Sequence, residues 1–198
     1  MKSVALPYRL KELERVARQL KLDYTQFDEH DTKGFIEDFQ LYKRRGRIEG
    51  VVRKEVFGAY SVCIFDYYYG RPSPNDAMTT AFFIHCKELA LPEFLMEPER
   101  FFHQVAEIMG RKDFDFEAYP VFSEQYYLGG KEEEQIREVF RHKLLRRFSL
   151  EQDYTLEGIN YYLLFYRLEK LLDYKQMIRF YRAGMSVYKE LKKRSAQL

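Results

Sequence analysis

The chain has no tryptophan and only two cysteines, Cys63 and Cys86, in 198 residues. Two thiols cannot build the disulfide framework of a small secreted fold, and no charged leader followed by an apolar segment opens the sequence. The expected compartment is therefore a reducing cytoplasm, with both cysteines free and packed as small hydrophobes. No apolar run approaches the roughly 18 residues of a membrane span. Neither sign of charge dominates: Lys plus Arg is 33, Asp plus Glu is 31, and the net charge of +2 creates no global field demanding nucleic acid or an anionic membrane. GxGxxG, phosphate-loop and GxSxG patterns are absent. His30, His85, His103 and His142 are scattered without HxxxH or CxxC spacing, so motifs assign no metal, no cofactor and no catalytic residue.

What is present is bulk for a core. Hydrophobic residues make up 46%, with 17 Tyr and 17 Phe, enough for one substantial aromatic and aliphatic interior with Tyr hydroxyls at its rim. The length fits a single α+β domain over 1–198.

Leu10, Leu13, Val16, Ala17 and Leu20 recur at helical spacing and predict an amphipathic helix within 1–22. FIEDFQLY, residues 35–42, alternates like a short strand. Residues 48–57 and 60–69 are rich in β-branched and aromatic types with room only for a tight turn between them, a hairpin; a third strand, MTTAFFIHCKEL, follows an exposed loop at 70–77. Pro98 opens a predicted helix over 98–109, QYYLGG a short strand, EEEQIREVF a helix with acids at its positive end, and YTLEGINYYLLFYR a last hairpin. Asp173 is placed to cap a helix over 173–195 carrying the stripe Tyr174, Met177, Ile178, Tyr181, Met185, Tyr188 and Leu191. Strands joined by hairpins with helices grouped around them predict an α+β fold: an antiparallel sheet of hairpins flanked by helices, with a long amphipathic C-terminal helix.

Asp66 stands out in CIFDYYYG as a lone acid in an apolar run, expensive to bury without a partner. In a strand it shares a face with Val62, Ile64 and Tyr68. The bland reading makes it structural, bonded to turn N–H groups, a Tyr hydroxyl or a basic side chain; the sharper one makes it a general base, with His85 on the next strand as its titratable neighbour. Tyr67, Tyr68 and Tyr69 are candidates for an aromatic interaction surface. RRGR at 44–47 and KELKKR at 189–194 could touch phosphates, and from Arg167 onward nine Lys or Arg face three Asp or Glu.

The stretch DFDFEAYPVFSEQYYLGGKEEEQIREVF resembles an uncharacterised bacterial family with the pattern D-I-D-F-x-x-x-P-x-F-S-x-x-Y-x-L-x-G-x-x-E-x-x-V-R-x-x-F. Here Asp113, Asp115, Phe116, Pro120, Phe122, Ser123, Tyr126, Leu128, Gly130, Glu133, Ile136, Arg137 and Phe140 meet it. FDYYY, LPEFLMEPERFFHQV and LEGINYYLLFYR extend the likeness over about 35–170. The resemblance implies a fold signature with no assigned catalytic residue; many members join the domain to one or two N-terminal membrane helices, which this sequence lacks. Among the matched charges, Asp113, Asp115, Glu133 and Arg137 are expected to form a structural ion pair ordering the turn before a helix.

These readings predict a non-enzymatic cytoplasmic interaction domain for a protein or membrane-associated partner, with peripheral membrane contact possible. A nucleic-acid-binding module using Lys189, Lys192, Lys193 and Arg194 is one alternative, and a hydrolase-like enzyme using Asp66 or Asp113 and Asp115 is another. The terminal stripe is expected to pack on the domain and leave those four cations in water.

Overall fold

The computed structural model describes residues 7–70, 77–102 and 112–195, and all of their side chains except those of 102 and 193–195. In chain order the elements are α1 (Pro7–Leu20), β1 (Asp23–Phe27), α2 (Thr32–Phe35), α3 (Gln40–Lys43), β2 (Arg47–Val56), β3 (Tyr60–Tyr69), β4 (Ala77–His85) and β5 (Leu91–Pro98). They continue with α4 (Glu99–Phe102), α5 (Pro120–Gln125), β6 (Tyr126–Gly130), α6 (Glu133–Val139), α7 (His142–Leu150), β7 (Thr155–Asn160), β8 (Tyr162–Tyr166) and α8 (Tyr174–Ser195). The fold is α+β, with antiparallel strands, flanking helices and a long C-terminal helix. By compactness the chain divides into two units, Met1–Ile84 with Arg167–Gly184, and His85–Tyr166 with Met185–Leu198.

In the first unit the strand order is β1-β2-β3-β4. β2 and β3 form the expected hairpin, pairing from Arg47 opposite Tyr68 to Val56 opposite Tyr60, and β1 adds to the other edge of β2. Both faces of β3 are apolar because both are covered. On one face α1 buries Leu13, Val16 and Ala17, and the start of α8 sets Tyr181 edge-on to Phe82 at 6.1 Å. On the other, Phe35 and Phe39 lie against Phe83 at 6.5 and 6.4 Å. A bulge interrupts β2 between Glu49 and Val52, and Gly50 sits there at φ 66, with Leu13 so close that a Cβ would meet its Cδ1 at 2.3 Å. Only glycine satisfies both conditions.

Residues 35–42, expected as a strand, instead close α2 and form α3. Asp28 accepts the Thr32 N–H at 2.8 Å and Asp31 the Gly34 N–H at 3.2 Å, which starts a helical turn, and Ile36 and Phe39, three apart, are both buried. The strand of this region lies earlier, at Asp23–Phe27. Beyond 102 the helix expected over 98–109 lies outside the described residues, as do residues 71–76 of the loop expected at 70–77.

In the second unit the order is β8-β7-β5-β6, antiparallel throughout, and β7–β8 is the expected last hairpin. Its core is aromatic: Phe94 meets Phe140 edge-on at 5.1 Å, Phe122 stacks on Tyr126 at 5.5 Å, and Phe148 touches Phe165 at 6.3 Å. The sequence reading has no counterpart for α7, although Leu144, Leu145 and Phe148 are its buried face at helical spacing.

Candidate functional site

Asp66 projects from β3 toward α1, and Arg9 meets it there. Arg9 lies on the same side of α1 as Leu13, Val16 and Ala17, so the helix carries its guanidinium into the interior along with its apolar face. The contact is a fork: Nε donates to Oδ2 at 2.7 Å and Nη2 to Oδ1 at 2.8 Å. Thr80 of β4 donates its hydroxyl to Oδ1 at 2.8 Å and itself accepts the Leu172 N–H at 3.1 Å. Arg9 also donates through Nη1 to the Leu172 carbonyl at 2.6 Å and to Glu12 at 3.1 Å. Glu12 in turn accepts the Tyr174 N–H at 3.4 Å. One buried arginine thus ties α1 to β3, β4 and the chain entering α8.

Asp66 is 0% exposed. Burial is the largest influence on both charges: it pushes the Asp66 carboxyl up, against the pull of Arg9 and Thr80. Burial also lowers Arg9, yet Asp66 and Glu12 hold it above its ordinary value. A bidentate, hydrogen-bonded pair is the geometry that makes buried charge tolerable. A general base needs a lone pair within reach of a substrate proton, and here both carboxylate oxygens are engaged inside the unit. The partner anticipated from sequence, His85, stacks on Tyr162 at 4.8 Å and is held below the usual histidine range by burial and by Lys87.

Around this pair lie further polar groups on the same face. Glu49 stands opposite Asp66 in β2; its Oε1 accepts from Arg47 at 2.8 Å while its Oε2, like the Tyr24 hydroxyl, is buried without a hydrogen-bond partner among the described residues. Burial, with Asp66 nearby, pushes the Tyr24 and Tyr68 phenols up to about 12.

Tyr67, Tyr68 and Tyr69 do not form a surface. They are 0%, 9% and 6% exposed because both faces of β3 are covered. Their hydroxyls serve the interior: Tyr67 accepts the Gly46 N–H at 2.7 Å and Tyr69 bonds Thr79 at 3.2 Å. From the RRGR stretch, Arg44 lies over the Tyr69 ring at 5.4 Å and Arg47 over Tyr68 at 5.0 Å.

The four matched charges of the second unit separate into two devices. Arg137 pairs with Glu133 one turn back in α6 at 2.8 Å, and Lys112 reaches the same carboxylate at 3.3 Å. The hydrogen bond from Arg137 is the first cause holding Glu133 below its usual range. Arg137 does not pair with the carboxylates of Asp113 or Asp115; it donates to the Asp115 backbone carbonyl at 2.9 Å and lies over Phe116 at 4.9 Å. Asp113 accepts the Leu128 N–H at 2.9 Å while Leu128 takes the Phe114 N–H at 2.8 Å, which fastens this segment beside β6. Burial pushes Asp113 up. Ser123 accepts the Phe116 N–H at 2.8 Å, a turn fastening.

In α8 the buried side chains are Met177, Phe180, Val187, Tyr188 and Leu191. Tyr174, Ile178, Tyr181 and Met185, also expected in the stripe, flank the buried face half-buried, so that face is rotated toward Phe180 and Val187. Lys189 is in water as expected, but Lys192 pairs with Glu88 at 2.8 Å; the side chains of Lys193 and Arg194 lie outside the described residues. Cys63 and Cys86 are free and buried, and burial pushes the Cys63 thiol up to about 12. Among the described residues no group of three or more His, Cys, Asp or Glu is placed to hold a metal ion, and no helix is long and apolar enough to cross a membrane.

No family model matches the sequence, and no curated protein is similar to it. Among solved structures the chain is similar to the crystal structure of the mycobacterial trehalose monomycolate transport factor A, TtfA. The TM-score is 0.58 at 8% identity, over 95% of this chain and 94% of that one. At such identity the likeness is one of fold: the same α+β architecture can be written in almost wholly different side chains.

Proposed function

We propose that this chain is a non-catalytic interaction domain whose partner is a protein at, or associated with, a membrane. The observation that carries the reading is the closed Arg9–Asp66–Thr80 network: the acid most like a catalytic group is spent on holding helices to strands. Asp113 is spent likewise on the Leu128 N–H. The likeness to the solved transport factor is one of fold; the membrane setting comes from the family resemblance in the sequence, many of whose members carry N-terminal membrane helices. The test is chemical cross-linking of the tagged full chain in its native host, followed by reconstitution with the captured protein. A stoichiometric complex with a membrane or membrane-associated protein supports the reading. Turnover of a hydrolase substrate that is lost in Asp113→Asn, in a variant that remains folded, overturns it.

A further inference from the structure

Two helices of the first unit each carry a row of exposed cations. In α1, Lys11, Arg15 and Arg18 are exposed at i, i+4 and i+7; in α8, Lys175, Arg179 and Arg182 repeat the same offsets and are also exposed. At about 100° per residue each row lies opposite its helix's buried residues, Leu13, Val16 and Ala17 in one case and Met177 and Phe180 in the other. The two helices meet where α8 begins. Arg15 stacks over Tyr174 at 4.1 Å, and Arg9 reaches both the Leu172 carbonyl and the Met177 sulfur, so the buried network ties the start of α8 to α1. Counter-charge is sparse. Glu12 is turned inward to Arg9, Asp173 caps α8, and no acid occurs between Tyr174 and Lys189, leaving Glu14 as the exposed acid of α1.

We infer that these two cationic helix faces dock on an anionic lipid bilayer. The inference rests on the membrane setting of the proposed function and gives it a surface. Opposed charge supplies the attraction, at about five-fold in binding per basic residue near an anionic membrane. Tyr8, 73% exposed, falls on the same row as Lys11, Arg15 and Arg18 and supplies a ring of the amphipathic kind that settles at headgroup depth.

The experiment is co-sedimentation of the full chain with phosphatidylcholine vesicles, with and without about one-third phosphatidylglycerol, beside a fluorescence titration with duplex DNA. Two variants are compared with the parent: Lys175→Gln/Arg179→Gln/Arg182→Gln, and that triple with Lys11→Gln and Arg18→Gln. Arg15 is kept because its stem packs on Tyr174, and circular dichroism verifies that the variants are folded. The expected result is binding to anionic vesicles only, weakened about a hundred-fold in the triple and more than about a thousand-fold in the quintuple variant, and abolished when salt shortens the screening length to about 3 Å. Equal binding to neutral vesicles, no vesicle binding, indifference to the quintuple variant, or tighter binding to DNA than to vesicles each overturns the inference. Loss of vesicle binding with a stoichiometric protein complex intact removes this surface alone; substrate turnover removes the earlier reading and leaves the surface standing.

Discussion

Replacing Arg9 by Ala strands the Asp66 carboxylate in the interior with Thr80 remaining from its described donors, and an uncompensated buried charge costs about 3–5 kcal/mol. Arg9→Met with Asp66→Leu removes both charges while filling similar volume, so the double variant should recover most of that loss; urea unfolding of the single and double variants measures the difference. If Arg9→Ala unfolds at the parent's midpoint, the clasp is not structural. A second residue-scale effect concerns alkaline pH. Tyr24 and Tyr68 are pushed from 10.0, and Cys63 from 9.0, to about 12, in each case chiefly by burial. The unfolded chain therefore sheds these protons first. Stability that is fully present below about pH 9 should be lost progressively as pH rises toward about 12. Absorbance of tyrosinate should show a set of late-ionising phenols, Tyr24 and Tyr68 among them, whose titration coincides with unfolding, and stability unchanged from pH 8 to about 11 would contradict that account.

At the scale of elements, the C-terminal helix shows how packing overrides propensity. Gly184 is buried against the Phe82 ring, where a Cβ would lie 2.7 Å from ring carbons. On an exposed helix surface Gly→Ala stabilises by about 1 kcal/mol. Here overpacking costs about 1–3 kcal/mol and should win, so Gly184→Ala should lower the thermal midpoint, while Arg182→Ala on the exposed side should change stability by less than about 0.5 kcal/mol. A rise in midpoint for Gly184→Ala would mean that Phe82 moves aside without penalty. The start of this helix was legible: Asp173 accepts the Gln176 N–H at 2.8 Å, and Gln176 returns a side-chain bond to the Asp173 N–H at 3.0 Å. Its buried face was only partly legible, because Phe180 and Val187 extend an apolar sector wider than one row and only neighbours decide which edge is covered. The strand expected at 35–42 failed for a related reason. Alternation of apolar and polar residues looks alike over so short a window whether it lines a strand or two helical turns, and the capping by Asp28 and Asp31 tipped the choice.

For the whole molecule, α8 matters beyond its length because it contributes residues to both compact units. Removing it takes away the buried Met177, Phe180, Val187, Tyr188 and Leu191, each worth about 1.5–3 kcal/mol, against a typical total stability of about 5–15 kcal/mol. A chain ending at Leu172 should therefore lack a cooperative thermal transition by circular dichroism. If it keeps the parent's midpoint and loses only vesicle binding, α8 is a detachable arm and not part of the core.

The sequence by itself determined the α+β class, the two hairpins at 47–69 and 155–166, the first and last helices and the two free thiols. Each of these rests on local periodicity, turn length or residue counts, which act between near neighbours in the chain. Only the tertiary structure decided what Asp66 is for. Its partner Arg9 lies 57 residues away inside a helix whose surface pattern gives a charged residue no reason to turn inward, and Thr80 and Leu172 come from still other segments. Tyr67, Tyr68 and Tyr69 were misread as a surface for the same physical reason: whether a strand has one covered face or two depends on α1, α2, α3 and α8 arriving from distant parts of the chain.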